Sequence, residues 1–439
     1  MNSAGPAAIQ TLQQAVQEAV NRYVARNPRS AAAADDAARA MPGGNTRSSL
    51  FHRPFPLRMA QGAGCRLRDV DGHDYIDLLG EFTSGIAGHS PEPILTAIRD
   101  ALADGINLSA HNMLEARLAA GLCARFPSID LIRFANSGTE ANLMALATAR
   151  AFTGRHKVVV FENAYHGGLL AFGPGGLRVA VPHDYAILPY NDKDAAESYF
   201  ARHGAEVAAV LVEPMLGAGG CVPGDPEFLS LLARLARHHE AILIFDEVQT
   251  SRLSAGGRQA LLGMTPDMTT IGKYFGGGLA FGAFGGRADL MAQYDPRQAG
   301  ALMHAGTFNN NTLAMAAGLA ALEHVVTPDA LDRINALGDA MRGSLNALFA
   351  EQGAPFHVTG LGSIMNIHPV PATGAEAGLL RDLIFFDLLE RGFFIASRGL
   401  IALSVPIGPA EMSAFADAVR DILIARRGVL GQAVPSAPR

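Results

Sequence analysis

Cysteine is scarce in this chain of 439 residues. Cys65, Cys123 and Cys221 form no C-x-x-C pair. A sparse, odd count argues against a disulfide framework and suits a reducing compartment. No run of 18 apolar residues occurs, so no membrane span is expected. A basic excess is missing too: 35 Lys and Arg stand against 41 Asp and Glu, for a net charge of -6. That balance argues against non-specific nucleic-acid binding. The start, MNSAGPAAIQTLQQAVQEAV, lacks a basic segment followed by an apolar block, so no signal peptide is expected and a cytoplasmic location is the default. Two nucleotide signatures also fail, although the stretch TTIGKYFGGGLAFGAFGGR (Thr269 to Arg287) invites both. A P-loop needs glycine where Asp267 stands and a hydroxyl residue where Tyr274 stands. The dinucleotide pattern G-x-G-x-x-G breaks at Phe281. Lys273, a single amine among glycines and apolar residues, needs another reason.

What the chain does have is 49% hydrophobic residues, ample for a large core and two domains. Ile9, Leu12, Val16, Val20 and Val24 recur at helical spacing, and Pro28 is expected to close that helix. The stretch Pro42 to Phe51, PGGNTRSSLF, is irregular. Residues Arg66 to Leu79 read as a hairpin that turns at Asp71-Gly72. From about residue 90, short β-rich runs alternate with helical stretches: LIRFAN (131–136), KVVVFE (157–162), VAAVLVEP (207–214) and AILIFDE (241–247). This predicts an α/β fold with a parallel or mixed sheet. After about residue 320, helices with a few strands (SIMNIHPV, GLIALSVP) predict a smaller α+β domain. The tail GQAVPSAPR reads as loose.

Open α/β sheets gather ligands at the carboxyl ends of their strands. After LIRFAN come Ser137, Gly138, Thr139 and Glu140, then a long helix. Ser137 and Glu140 make a capping box; two hydroxyls and a glycine at a helix start also make an anion cradle, and both readings fit. After KVVVFE come Tyr165, His166, Gly167 and Gly168, where either ring could stack on a flat ligand or simply fill a loop. Glu213 ends the next strand. Asp246 leaves the apolar run AILIF from a buried position, where a carboxylate needs a cationic partner or a metal. No cluster with metal-ligand spacing lies nearby, so no metal is expected. Together these pieces suit pyridoxal phosphate. Its phosphate wants a helix N-terminus, its ring nitrogen a carboxylate, and its aldehyde a lysine amine. Apolar surroundings favour the neutral, nucleophilic form of Lys273, and the glycines would let backbone approach a bulky ring.

The motifs PGGNTR, DVDGHDYIDL, NSGTEANLMALATAR, AYHGG, VEPMLGAGG, FDEVQTSRL, TIGKYFGGG and GTFNNN resemble, in order and over nearly the whole chain, those of the class III (ω-) aminotransferases. Within that class the chain is similar to transaminases of aromatic β-amino acids such as β-phenylalanine, and to glutamate-1-semialdehyde aminomutases. The resemblance implies pyridoxal-phosphate fold type I, the aspartate-aminotransferase-like architecture. Residues 89–320 would form a large cofactor-binding domain with a mainly parallel sheet. Residues 321–439 would form the small domain, with 1–88 contributing to it.

It also implies roles. Lys273 would bind the cofactor's aldehyde and shuttle the proton, and Asp246 would pair with the ring nitrogen. Ser137, Gly138 and Thr139 would hold the phosphate, Tyr165 would lie against the ring, and Glu213 would order the site. Thr307 would reach the phosphate of a neighbouring subunit, making the enzyme a homodimer with shared sites. Arg47 would bind the substrate carboxylate, and Arg398 the distal carboxylate of 2-oxoglutarate. Gln249 stands where the two nearest branches are expected to carry methionine; it could bond the ring's phenolic oxygen. The implied reaction moves an amino group from a β-amino acid to a 2-oxo acid. An aminomutase, or a catalytically silent module on the same fold, is the alternative.

Overall fold

Strands Val207–Val212 and Ile242–Asp246 are buried at every residue, which explains why both read as unbroken apolar runs. They lie in the middle of a seven-stranded sheet. The computed structural model describes residues 6–370 and 374–433; of the tail expected to be loose, residues 434–439 fall outside the described residues. The chain divides into two compact units, residues 91–333 and residues 1–90 with 334–439.

The unit of residues 91–333 holds the sheet. In chain order its strands are β1 (Leu131–Ala135), β2 (Lys157–Phe161), β3 (Asp184–Leu188), β4 (Val207–Val212), β5 (Ile242–Asp246), β6 (Met268–Gly272) and β7 (Gly282–Gly286). Their spatial order is β1-β7-β6-β5-β4-β2-β3. β7 runs against the direction shared by the other six strands. Strands β1, β2, β4 and β5 were legible as apolar runs; β6 and β7 lie in the stretch that reads as a glycine loop. Glycine is disfavoured in strands, so sequence pattern conceals β7. Packing explains it. A Cβ on Gly282 would sit 2.1 Å from the Ser137 carbonyl oxygen, and one on Gly285 2.8 Å from that of Leu131. The turn after Lys273 follows the same logic: a Cβ on Gly277 would meet the Ala317 carbonyl at 2.5 Å, and one on Gly318 the Phe275 carbonyl at 2.3 Å. These glycines seat the lysine turn on helix Thr312–His324.

The second unit carries two helices at its start, Pro6–Arg26 and Pro28–Ala38. Pro28 therefore opens a helix where it was expected only to close one. Proline at the first helical position loses no hydrogen bond, and the Asp71 carboxylate accepts from Arg29 N (2.7 Å) and Ser30 N (2.9 Å) to cap the new first turn. Strands Arg66–Asp69 and Asp74–Asp77 form the expected antiparallel hairpin, with Gly72 at φ 97° in its turn. Met59–Ala63 and Phe393–Phe394 complete a four-stranded sheet. A three-stranded antiparallel sheet, Phe356–Leu361, Ile364–Pro369 and Leu400–Ala402, shares one core with Leu12, Val16, Leu345, Phe385 and Phe415. Among the described residues no helix is long and apolar enough to cross a membrane.

Candidate active site

Parallel strands deliver their carboxyl ends to one edge, and the antiparallel β7 places β1 parallel to β6. Ser137, the 163–168 loop, Glu213, Asp246 and Lys273 consequently leave the same edge of the sheet, after β1, β2, β4, β5 and β6. Three of these segments touch around one glycine: a Cβ on Gly272, the residue before Lys273, would lie 3.6 Å from Gly138 N and 3.6 Å from Val248 Cγ1. Lys273 itself has φ 56°, a left-handed conformation unfavourable for a residue with a side chain. Such outliers cluster where surroundings impose a geometry.

Helix Gly138–Thr153 starts as expected on one side: Ser137 Oγ accepts from Glu140 N at 3.1 Å. The reciprocal half differs. Glu140 Oε2 accepts from Asn136 N at 2.9 Å and from Asn136 Nδ2 at 3.2 Å, one residue earlier than a capping box requires. The first-turn N–H groups of Gly138 and Thr139 have no carbonyl four residues back within the helix, which leaves donors at its positive end. The Thr139 hydroxyl oxygen accepts from Gly168 N at 3.2 Å. Gly167, at φ 122°, allows this contact; a Cβ there would fall 2.1 Å from Thr139 Oγ1.

Asp246 is buried and held by three protein contacts. Its Oδ2 accepts from Asn142 Nδ2 at 2.9 Å and lies 2.8 Å from His166 Nδ1, while Oδ1 accepts from Val248 N at 3.0 Å. Asn142 is fixed in turn by the Thr270 hydroxyl, which donates to Asn142 Oδ1 at 2.7 Å. The loop thus divides its two rings: His166 is buried under Asp246, and Tyr165 stays 46% exposed. Glu213 is buried; its Oε2 accepts from Tyr165 N (2.9 Å) and its Oε1 from Gly217 N (3.0 Å). Loss of solvent pushes its carboxyl up to about 7, with His166 pulling down and Asp246 pushing up. Gly217 makes room for Gln249, whose Oε1 has no hydrogen-bond partner. Sequence reasoning missed Asn142 and Thr270, and offered His166 only as a stacking ring. Asn142 carried one signal: an amide inside the apolar helical run NLMALATAR.

The remaining candidates lie elsewhere. Thr307 is exposed in a turn of residues 307–310, whose Asn309 Oδ1 accepts from Asn136 Nδ2 at 3.0 Å. Arg47 and Arg398 belong to the other unit, where their guanidinium carbons lie 6.0 and 5.0 Å from the centre of the Phe82 ring. Among the described residues no group of three His, Cys, Asp or Glu could hold a metal ion.

The family model for class III aminotransferases matches residues 49–407. The chain belongs to the class III aminotransferases. This aminotransferase is 49% identical to the β-phenylalanine transaminase of Variovorax paradoxus over 415 residues, 93% of this chain and 95% of that one. It is 40% identical over 360 residues to a glutamate-1-semialdehyde 2,1-aminomutase of Sorangium cellulosum, covering 78% and 82% of the two chains. The crystal structure of a β-phenylalanine aminotransferase from V. paradoxus superposes with a TM-score of 0.93 at 48% identity, covering 95% of this chain and 99% of that one. The protein is a pyridoxal-phosphate-dependent enzyme of fold type I that works on a small-molecule amino donor and a keto-acid acceptor. The residues present fit the cofactor: first-turn amides and the Thr139 hydroxyl would hold the phosphate, the buried Asp246 carboxylate would face the ring nitrogen, and the Gln249 oxygen is an acceptor without a partner. When bound, pyridoxal phosphate supplies a protonated ring that withdraws electrons from the carbon bearing the amine.

Proposed function

We propose that this aminotransferase moves the amino group of an aromatic β-amino acid of the β-phenylalanine type to a 2-oxo acid such as 2-oxoglutarate. The observation that carries the reading is the pair of arginines flanking Phe82, 6.0 and 5.0 Å from its ring centre. One guanidinium suits the donor's carboxylate and the other the distal carboxylate of the acceptor, with an aromatic ring beside both. The 49% identity to a β-phenylalanine transaminase supports the same donor.

In this reading Lys273 Nζ would hold the cofactor and, once freed by the donor's amine, would take the proton from the donor's β-carbon. Asp246, braced by Asn142 and His166, would keep the ring nitrogen protonated. Ser137, Gly138 and Thr139 would hold the phosphate, Tyr165 would cover the ring, Glu213 fixes the Tyr165 backbone, and Gln249 would bond the phenolic oxygen. The donor leaves as a β-keto acid. Residues 89–320 act as the cofactor-binding domain and 321–439, with 1–88, as the small domain. The enzyme works as a cytoplasmic homodimer in which Thr307 completes the neighbour's phosphate site.

The aminomutase reading retains support from the relative at 40% identity. A silent module is disfavoured because Lys273 and Asp246 are both present. A donor screen separates these readings. β-Phenylalanine with 2-oxoglutarate should yield glutamate, with no turnover when the acceptor is withheld. Conversion of glutamate-1-semialdehyde to 5-aminolevulinate without an acceptor, and none of β-phenylalanine, would assign the aminomutase function.

A further inference from the structure

Arg47 already has a partner. Its guanidinium pairs with the Glu81 carboxylate, and the two side chains are 45% and 51% exposed. Backbone, more than rotamer choice, puts Glu81 there. Gly80, Glu81, Phe82 and Thr83 all have positive φ (52°, 50°, 52° and 78°), and three of them carry side chains. Residues with a Cβ avoid this region, and a run of three persists only where surroundings enforce it.

The enforcing contacts are visible. Asp77 Oδ1 accepts from Leu79 N (2.9 Å) and Gly80 N (3.0 Å), and Asp77 Oδ2 lies 2.9 Å from His89 Nε2. Gly85 N donates back to the Gly80 carbonyl at 2.9 Å. A Cβ on Gly80 would lie 2.6 Å from the Ala402 carbonyl oxygen, so this turn sits directly on strand Leu400–Ala402. The pinned turn delivers a carboxylate to Arg47 and the buried Phe82 ring to within 6.0 Å of Arg47 and 5.0 Å of Arg398.

We propose that Glu81 is the specificity-determining counter-ion of Arg47: it occupies the guanidinium in the resting enzyme and gives way to the carboxylate of the donor. The inference rests on the reading of Arg47 as the donor's carboxylate anchor. A half-exposed pair is weakly held, so a substrate carboxylate that offers two parallel hydrogen bonds can replace it. A neutral ligand cannot compensate the guanidinium and leaves the Arg47–Glu81 pair closed. The pinned backbone keeps Glu81 close after exchange, so the pair reforms once product leaves. Glu81 thereby sets a threshold that only carboxylate-bearing donors pass.

The test measures binding of 3-phenylpropanoate and of its neutral isostere 3-phenylpropanamide to the holoenzyme by calorimetry, with KM and kcat for β-phenylalanine alongside. Glu81→Gln removes the competitor and keeps its shape. It should tighten 3-phenylpropanoate about twofold to fivefold, the range of an exposed ion pair, and lower KM with kcat unchanged, while amide binding stays constant. Glu81→Asn, which tolerates the left-handed backbone better, should tighten the carboxylate alike, separating charge from strain. Arg47→Ala should weaken the carboxylate by about tenfold or more, and adding Glu81→Gln to it should change nothing further. If Arg47→Ala weakens the carboxylate but both Glu81 variants leave it unchanged or weaken it, the counter-ion role is wrong and the Arg47 reading stands. If Arg47→Ala leaves carboxylate binding intact, the Arg47 reading itself fails, and the exchange with it.

Discussion

Asp246 shows how much of a site one residue can announce and how much it conceals. Its position at the end of AILIF, with a lysine 27 residues later, was readable as a buried acid opposite a nucleophile. Its bonds to Asn142 and His166 were not, because those residues come from separate segments that only the sheet brings together, whereas Val248 N lies two residues along the same turn. Asp246→Asn keeps the shape and removes the charge that holds a ring nitrogen protonated. A fall in kcat of about a hundredfold or more is expected, roughly 3 kcal/mol, in line with loss of other preorganised electrostatic partners. Single-turnover kinetics with matched cofactor occupancy checks it; a loss of only a few-fold would move the role elsewhere. Glu213 offers a pH test. It faces His166, Asp246 and Tyr190, and burial raises its carboxyl from the usual 4.5 to about 7. The folded protein therefore holds this proton more tightly than the unfolded chain does. The stability it contributes is complete below pH 4.5 and is lost as pH rises through 7. Urea midpoints of the cofactor-free protein should show this decline in wild type, and Glu213→Gln should flatten it between pH 4.5 and 7.

Elements divide into those whose residues advertise them and those made by their neighbours. The all-buried β4 and β5 and the hairpin turning at Gly72 were legible because apolar runs and an Asp-Gly pair have local causes. Strand β7, GAFGG, has none: its glycines are required by the Ser137 and Leu131 backbones, which sequence spacing does not reveal. Arg47 and Glu81 were similarly hidden as a pair, since a left-handed turn carried by Glu81, Phe82 and Thr83 breaks every local preference. Gly282→Ala tests the close approach. Its Cβ would strike the Ser137 carbonyl at 2.1 Å and displace the residue that caps helix Gly138–Thr153. A loss of about 1–3 kcal/mol in unfolding free energy is expected, with faster release of pyridoxal phosphate. Gly343→Ala is the contrast. It is exposed within helix Pro328–Gln352 with no atom within 4 Å of the added methyl, and should stabilise by up to about 1 kcal/mol. Equal melting shifts for the two variants would deny β7 its special role.

For the whole molecule, the question is whether one chain makes one complete site. Thr307 is exposed and stands beside Phe308 (58% exposed) and near Met303 (89% exposed), apolar side chains that a single chain leaves in water. A second copy covering this turn would bury them and bring Thr307 toward a phosphate that is not its own. Mixed dimers decide between the two arrangements. Lys273→Ala removes the amine, and Thr307→Asp sets a negative charge against the phosphate, so each parent homodimer should be close to inactive. Suppose Thr307 serves the partner. The site built on the Thr307→Asp chain then receives its own Lys273 and the intact Thr307 of the Lys273→Ala chain, and is whole. Its counterpart carries both lesions. Random exchange of equal amounts makes half the dimers mixed, each with one good site, so activity should recover to about a quarter of wild type. If Thr307 serves its own chain, every site in every dimer keeps a lesion and no activity returns. Exchange must be demonstrated independently, by mass spectrometry of tagged chains, so that silence after proven mixing counts against the shared site.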